Sequence, residues 1–117
     1  MNNNLFAELQ FTHVKAWNEN DPEERRKLLH TIYAEDIKMY DSQNVIVGLD
    51  AVVDFIGTLI TKDPVYSFSP DGELEVLQNS ARLYGNIHTS GGQLRSMDFF
   101  LTDNGKVQHL YVYLQPV

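Results

Sequence analysis

The feature that most constrains this chain is a change of rhythm near its middle. From Val65 onward, long runs of strand-forming residues are separated by turn residues at Pro70-Asp71-Gly72, Gln78-Asn79-Ser80, Thr89-Ser90-Gly91-Gly92 and Asp103-Asn104-Gly105. Such punctuation predicts a meander of strands over residues 66–77, 81–88, 93–102 and 106–114, the first interrupted at its proline and glycine. Gly85 falls inside a strand and removes a side chain there, which predicts a bend or a close approach by another group.

Upstream of that point the apolar spacing is helical. Leu5, Leu9, His13, Ala16 and Trp17 recur on one stripe of a helix over residues 5–17, so His13 lies on the buried face. Asn18 to Asn20 break the helix, and Asp21-Pro22-Glu23-Glu24 supplies an N-cap, a proline at the first helical position and a capping-box acid. The second helix then runs to about residue 33, burying Leu28, Leu29 and Ile32 and turning Glu23, Arg26 and Lys27 outward. A strand follows over residues 37–41, where the period of two puts Ile37, Met39 and Asp41 on one face. After the short run Val45-Ile46-Val47 and a turn at Gly48, Asp50 can cap a third helix carrying Val52, Phe55, Ile56, Leu59 and Ile60, closed by Asp63-Pro64. The expected architecture is a single α+β domain: three N-terminal helices packed on a strongly curved, mainly antiparallel sheet, a cone with room for a small apolar molecule.

Composition removes several functions. At 117 residues the chain suits one domain that buries roughly two-thirds of its unfolded surface. There is no cysteine, which excludes disulfides, thiolate nucleophiles and Cys-based metal sites and suits the cytoplasm. Met1-Asn2-Asn3-Asn4 has no basic region, and Leu5-Phe6 is interrupted by Glu8 and Gln10, so no secretory segment is expected. No apolar run approaches the ~20 residues a membrane span requires. A net charge of -7 repels phosphate backbones and anionic lipid, so neither nucleic acid nor membrane is an expected partner. The histidines at 13, 30, 88 and 109 have no short ligand pairing, and no Gly-rich phosphate loop or serine elbow occurs, so no metal or other cofactor is expected.

The order helix, helix, strand, short hairpin, helix and curved meander resembles the SnoaL-like and ketosteroid-isomerase-like domains of the nuclear transport factor two superfamily. Trp17-Asn18-Glu19-Asn20-Asp21 with Arg25, Leu28-Leu29 and Tyr33-Ala34-Glu35-Asp36 is similar to that family's first two helices. Asp41 before Gly48 and Phe55, and the run from Asp98 to Val107, continue the likeness over nearly the whole chain. The resemblance implies that Asp41 stands where ketosteroid isomerases carry a catalytic base. It places Asp98 at their oxyanion-hole aspartic acid and His13 at their oxyanion-hole tyrosine. In such a site a carboxylate removes a proton next to a carbonyl while two donors hold the developing enolate; ketosteroid isomerase is the reference case for a carboxylic acid kept neutral to serve as a donor.

Each residue also has a structural reading. Asp41-Ser42-Gln43-Asn44 is a natural Asx turn. Asp98 shares a face with Leu94, Ser96 and Phe100 and could pair with Arg82 or Arg95, and His13 on an apolar stripe fits a core histidine bonded to a carbonyl or carboxylate. Ser96 holds the place of the arginine that the epoxide-hydrolysing branch puts two residues from its acid, which disfavours that chemistry. Trp17, Met39, Phe55, Phe100, Leu110 and Val112 are the expected pocket lining. Alternating Leu110, Val112 and Leu114 with His109, Tyr111 and Tyr113 leaves an outer face suited to a homodimer. Two functions follow: a cofactor-independent isomerase or cyclase acting on a carbonyl-bearing apolar substrate, or a noncatalytic ligand-binding or dimerisation domain. A cavity of about 300 Å³ or more holding both carboxylates suits the first; one filled by Trp17, Phe55 and Phe100 suits a structural domain.

Overall fold

The computed structural model describes residues 3–117, with side chains from residue 5 onward. Met1 and Asn2, which open the stretch expected to lack a secretory segment, lie outside the described residues. The elements are α1 (Asn3–Ala16), α2 (Pro22–His30), β1 (Tyr33–Tyr40), β2 (Val45–Val47), α3 (Leu49–Lys62), β3 (Ser67–Pro70), β4 (Glu75–Leu77), β5 (Ser80–Thr89), β6 (Gly92–Asp103) and β7 (Lys106–Pro116). The strands form one curved sheet in the order β2-β1-β7-β6-β5-β3, with β4 also paired to β5. Every pairing is antiparallel except β1 with β7. No described helix is long and apolar enough to cross a membrane.

Local chemistry explains most element ends. Asp21 accepts a hydrogen bond from the Glu23 amide at 3.1 Å, and Pro22 opens α2 with its φ already fixed. The helix stops at His30, short of residue 33, because the sheet takes the chain over. The Val107 amide donates to Ile32 O at 2.7 Å, and Tyr33 pairs with Val107, so Tyr33 opens β1. Asp50 does not cap α3: Gly48 occupies the N-cap with φ +98°, and Asp50 sits in the first turn, accepting from Arg26 Nε at 2.6 Å.

The concave face of the sheet is the core. Leu83, Phe100, Leu110, Ile37 and Met39 from the strands meet Leu9, Leu29, Val52 and Ile56 from the helices, all essentially without solvent contact. Arg25 is buried among them. Its guanidinium donates to the carbonyls of Glu19, Asn20 and Val53, and Gly57 leaves the space it needs, since a Cβ there would lie 2.9 Å from Nη1. Register shifts between β1 and β7 and near Leu101 of β6 add curvature, wrapping the sheet around the helices.

Candidate functional site

Two carboxylates reach the concave side of the sheet, and their surroundings differ. Asp98 lies on β6 opposite Val112 and points inward with Leu94, Ser96 and Phe100, as strand alternation requires. Its partner is His13 of α1, with Nε2 to Oδ2 at 2.8 Å, and the two side chains are only 1% and 7% exposed. Neither arginine considered from the sequence reaches it: Arg82 pairs instead with Glu75 at 2.6 Å, and Arg95 alternates to the opposite face. His13 Nδ1 lies 2.7 Å from the Tyr33 hydroxyl, which also accepts from Trp17 Nε1 at 3.0 Å. Trp17 Nε1 can only donate, so Nδ1 is the one acceptor for the Tyr33 O–H among the described residues; with that bond made, Nε2 carries the proton given to Asp98.

Burial pushes the Tyr33 phenol well above its usual value, and the negative charge of Asp98 adds to the shift against the hydrogen bond from Trp17. Tyr33 therefore stays a donor. Around the cluster, the rings of Phe100 and Phe68 meet the imidazole edge-on at centroid distances of 4.9 and 5.8 Å. Gly85 makes the Phe68 position possible: a Cβ there would stand 2.5 Å from the Phe68 ring, 2.9 Å from Ser69 O and 3.0 Å from Ser96 Oγ. The approach expected at this glycine is thus an aromatic side chain of the protein itself. Ser96 Oγ is buried beside it without a hydrogen-bond partner.

Asp41 follows the last residue of β1 and is half-buried. Its Oδ1 accepts from the amides of Gln43 and Asn44 at 2.8 and 2.7 Å and from Asn44 Nδ2 at 3.1 Å, closing an Asx turn. Among the described residues Oδ2 has a single hydrogen bond, 3.3 Å from Asn44 Nδ2, and is the freer oxygen. Asp41 also borders a cavity of ~190 Å³. The remaining walls are Trp17, Met39 of β1, Phe55 and Leu59 of α3, Tyr66, Ile87 and Thr89 of β5, Leu94 of β6, and Val112 and Leu114 of β7. Asp41, Val112 and Leu114 also line a groove on the outer side, and Leu114 is 47% exposed, so the mouth lies at that rim. Larger hollows of ~380 and ~460 Å³ lie at β4 and beside α1, lined by exposed side chains such as Leu77 and Phe11.

The cavity brings together Trp17, Met39, Phe55 and Val112 with Asp41. Phe100 and Leu110 stand directly opposite each other in the ladder, wholly buried and off the cavity wall, because Phe100 packs on His13 instead. Asp98 and His13 are off the wall as well, so the ~190 Å³ space holds one carboxylate rather than two. Leu59, Tyr66, Ile87, Thr89, Leu94 and Leu114 of the wall go beyond the lining expected from the sequence; Tyr66 and Thr89 sit where a strand meets a loop. The Tyr66 hydroxyl donates to Trp17 O at 3.0 Å, and burial followed by the charge of Asp98 raises its pKa. Among the described residues, no group of three or more His, Asp or Glu side chains is placed to hold a metal.

Solved structures share this architecture. A candidate isomerase of the SnoaL-like family from Agrobacterium tumefaciens superposes with a TM-score of 0.83 at 23% identity, covering 96% of this chain and 98% of its own. An NTF2-like protein of unknown function from Burkholderia xenovorans gives 0.79 at 18% identity over 100% and 88%. A de novo designed protein with a curved β-sheet gives 0.77 at 16% identity over 99% and 89%. No protein-family model matches the sequence, and no curated protein matches it either. The chain has the SnoaL-like, NTF2-like fold. Likeness at these identities shows the fold alone, and one fold hosts many functions, so the cavity carries the functional argument.

Proposed function

We propose that this domain binds a small, largely apolar molecule in the ~190 Å³ cavity, with Asp41 as the polar anchor at its mouth. The observation that carries the reading is one carboxylate set in a mostly apolar wall drawn from α3, the turn after α1, the loop before β3 and four strands, the usual composition of a small-molecule site. Filling the space should block it. Saturation-transfer NMR with one-ring aromatic fragments is expected to detect binding to the native chain and none to a folded Val112→Phe variant. Equal signals from both proteins would overturn the assignment.

A second reading keeps proton transfer next to a carbonyl, as in an isomerase or cyclase, with Asp41 as base and Asp98 and His13 as donors. The single long hydrogen bond on Asp41 Oδ2 favours it; the commitment of Asp98 to His13, off the cavity wall, favours simple binding. Asp41→Asn separates the two, because loss of a general base lowers turnover roughly 10²- to 10⁴-fold while binding of an apolar ligand persists. A carbonyl substrate turned over equally by both proteins would remove the base role.

The outer sheet face suits a second copy of the chain. Tyr40 and Tyr111 stack with centroids 4.4 Å apart, Tyr113 is 60% exposed, and Val45 and Val47 extend the apolar surface to the sheet edge. Light scattering at micromolar concentration should report twice the chain's 13.4 kDa; the chain mass alone would rule the dimer out.

A further inference from the structure

We propose that the cavity takes a one-ring apolar amine in its ammonium form, its nitrogen on the Asp41 carboxylate; this rests on the ligand-binding reading above. Size gives the first limit. An engineered apolar cavity of about 150 Å³ accommodates benzene, so ~190 Å³ admits one ring with a short chain and is too small for a fused four-ring molecule.

The second limit comes from the hydrogen-bond donors. Three wall side chains other than Asp41 carry polar hydrogens, and each is already committed. Trp17 Nε1 donates to the Tyr33 oxygen at 3.0 Å, the Tyr66 hydroxyl to Trp17 O at 3.0 Å, and Thr89 Oγ1 to Gly92 O at 2.7 Å. The other wall side chains are Met, Phe, Leu, Ile and Val, which donate nothing. A ligand carbonyl would enter dehydrated and meet no side-chain donor, an unfavourable exchange. What the wall does offer is an acceptor, the Asp41 carboxylate, whose Oδ2 carries one long hydrogen bond of 3.3 Å.

Charge decides between a neutral donor and a cationic one. Asp41 makes none of the five ion pairs among the described residues, and its hydrogen-bond partners are neutral amides. A half-buried carboxylate without a cation is best completed by one from the ligand, and charge-assisted bonds are roughly twice as strong as neutral ones. The net charge of -7 draws cations toward the surface. The rings of Trp17, Phe55 and Tyr66 supply aromatic faces for the ligand's ring and for the carbon bearing the ammonium.

The test is a set of probes of one size, 2-phenylethylamine, 2-phenylethanol and phenylacetone, with toluene as the apolar reference. Each is titrated into the full chain at neutral pH while the wall residues' amide signals are followed. The amine should bind at least about tenfold more tightly than the alcohol, with the ketone weakest. Asp41→Asn keeps the Asx turn and should weaken the amine about ten- to a hundredfold while leaving the alcohol within about threefold. If the alcohol or ketone matches the amine, or the amine binds Asp41→Asn unchanged, the ammonium assignment fails and the pocket stands. Amine binding that survives Val112→Phe would place it on the acidic surface and overturn the assignment too. If no probe, toluene included, moves the wall signals, the pocket reading itself falls and takes this one with it.

Discussion

Asp98 and Asp41 stand on the concave side of one sheet, yet one is sealed and the other is open. Asp98 meets a histidine whose second nitrogen is bonded to a tyrosine, which is bonded in turn to a tryptophan, so the donors of that chain are spent inside the protein. Asp41 is held only by its own turn and keeps an oxygen nearly free at the mouth of a cavity. A satisfied buried network specifies a structure, whereas an acceptor left unsatisfied beside an apolar space is available to something else. The same residue type is thus tied into the core on β6 and left nearly unpaired just past β1, on the two sides of β7.

The sharpest way to break this contrast is to remove each carboxylate. Asp98→Ala leaves the buried His13 N–H without an acceptor and should lose about 3 kcal/mol of unfolding free energy in urea. Asp41→Asn retains the turn and should lose less than about 1 kcal/mol. Comparable losses would mean that Asp41 is as structural as Asp98, and the case for a ligand at the mouth would weaken.

Alkaline pH sharpens the same contrast by a smaller amount. Burial raises the phenol pKa of both Tyr33 and Tyr66 above the ordinary 10.0. An unfolded tyrosine releases its proton near pH 10, while the folded residue still holds it, so the native state binds more protons there and stability falls as pH rises past 10. Each tyrosine contributes a slope of up to about 1.4 kcal/mol per pH unit, which fades out over about one to two pH units below 10. Denaturant midpoints between pH 9 and 11.5 should show the fall, and Tyr66→Phe should remove about half of its slope. Stability that stays flat to pH 11.5 would mean that the Tyr33 cluster is not sealed from water.

Much of this layout was legible in the sequence. The Asp21-Pro22 cap, the turn clusters after Val65, and the alternation that turns Met39 and Asp41, or Ser96 and Asp98, to one face are local signals, and local signals survive folding. What the sequence hid depends on contacts between distant segments. Tyr33 continues the pattern of α2 but is drawn into the sheet by Val107. Arg25 lies on a helix of low hydrophobicity and is buried where Gly57, thirty-two positions on, makes room for its guanidinium. Charge alone offered Asp98 two arginines on its own hairpin. Its partner is 85 residues away on α1, because β5 and β6 turn both arginines to the outer face.

Gly85 gives the finest test of the seal, because it acts on the cluster without touching its hydrogen bonds. The residue lies between β3 and β6 in the sheet, opposite Pro70 and Ser96, and the missing side chain is what lets Phe68 stand edge-on against His13. Adding one methyl forces the Phe68 ring and the backbone at Ser69 to move, since contacts of 2.5 and 2.9 Å cannot be held. Gly85→Ala should therefore cost about 1–3 kcal/mol, the range for overpacking a well-filled core. It should also speed hydrogen exchange of the Trp17 indole N–H, which lies behind that ring's partner, while toluene binding in the cavity changes by less than about threefold. Slow exchange kept intact would locate the seal in Phe100 rather than Phe68. A large loss of toluene binding would instead mean that the His13–Asp98 cluster and the cavity move together, and that Asp98 and Asp41 belong to one site.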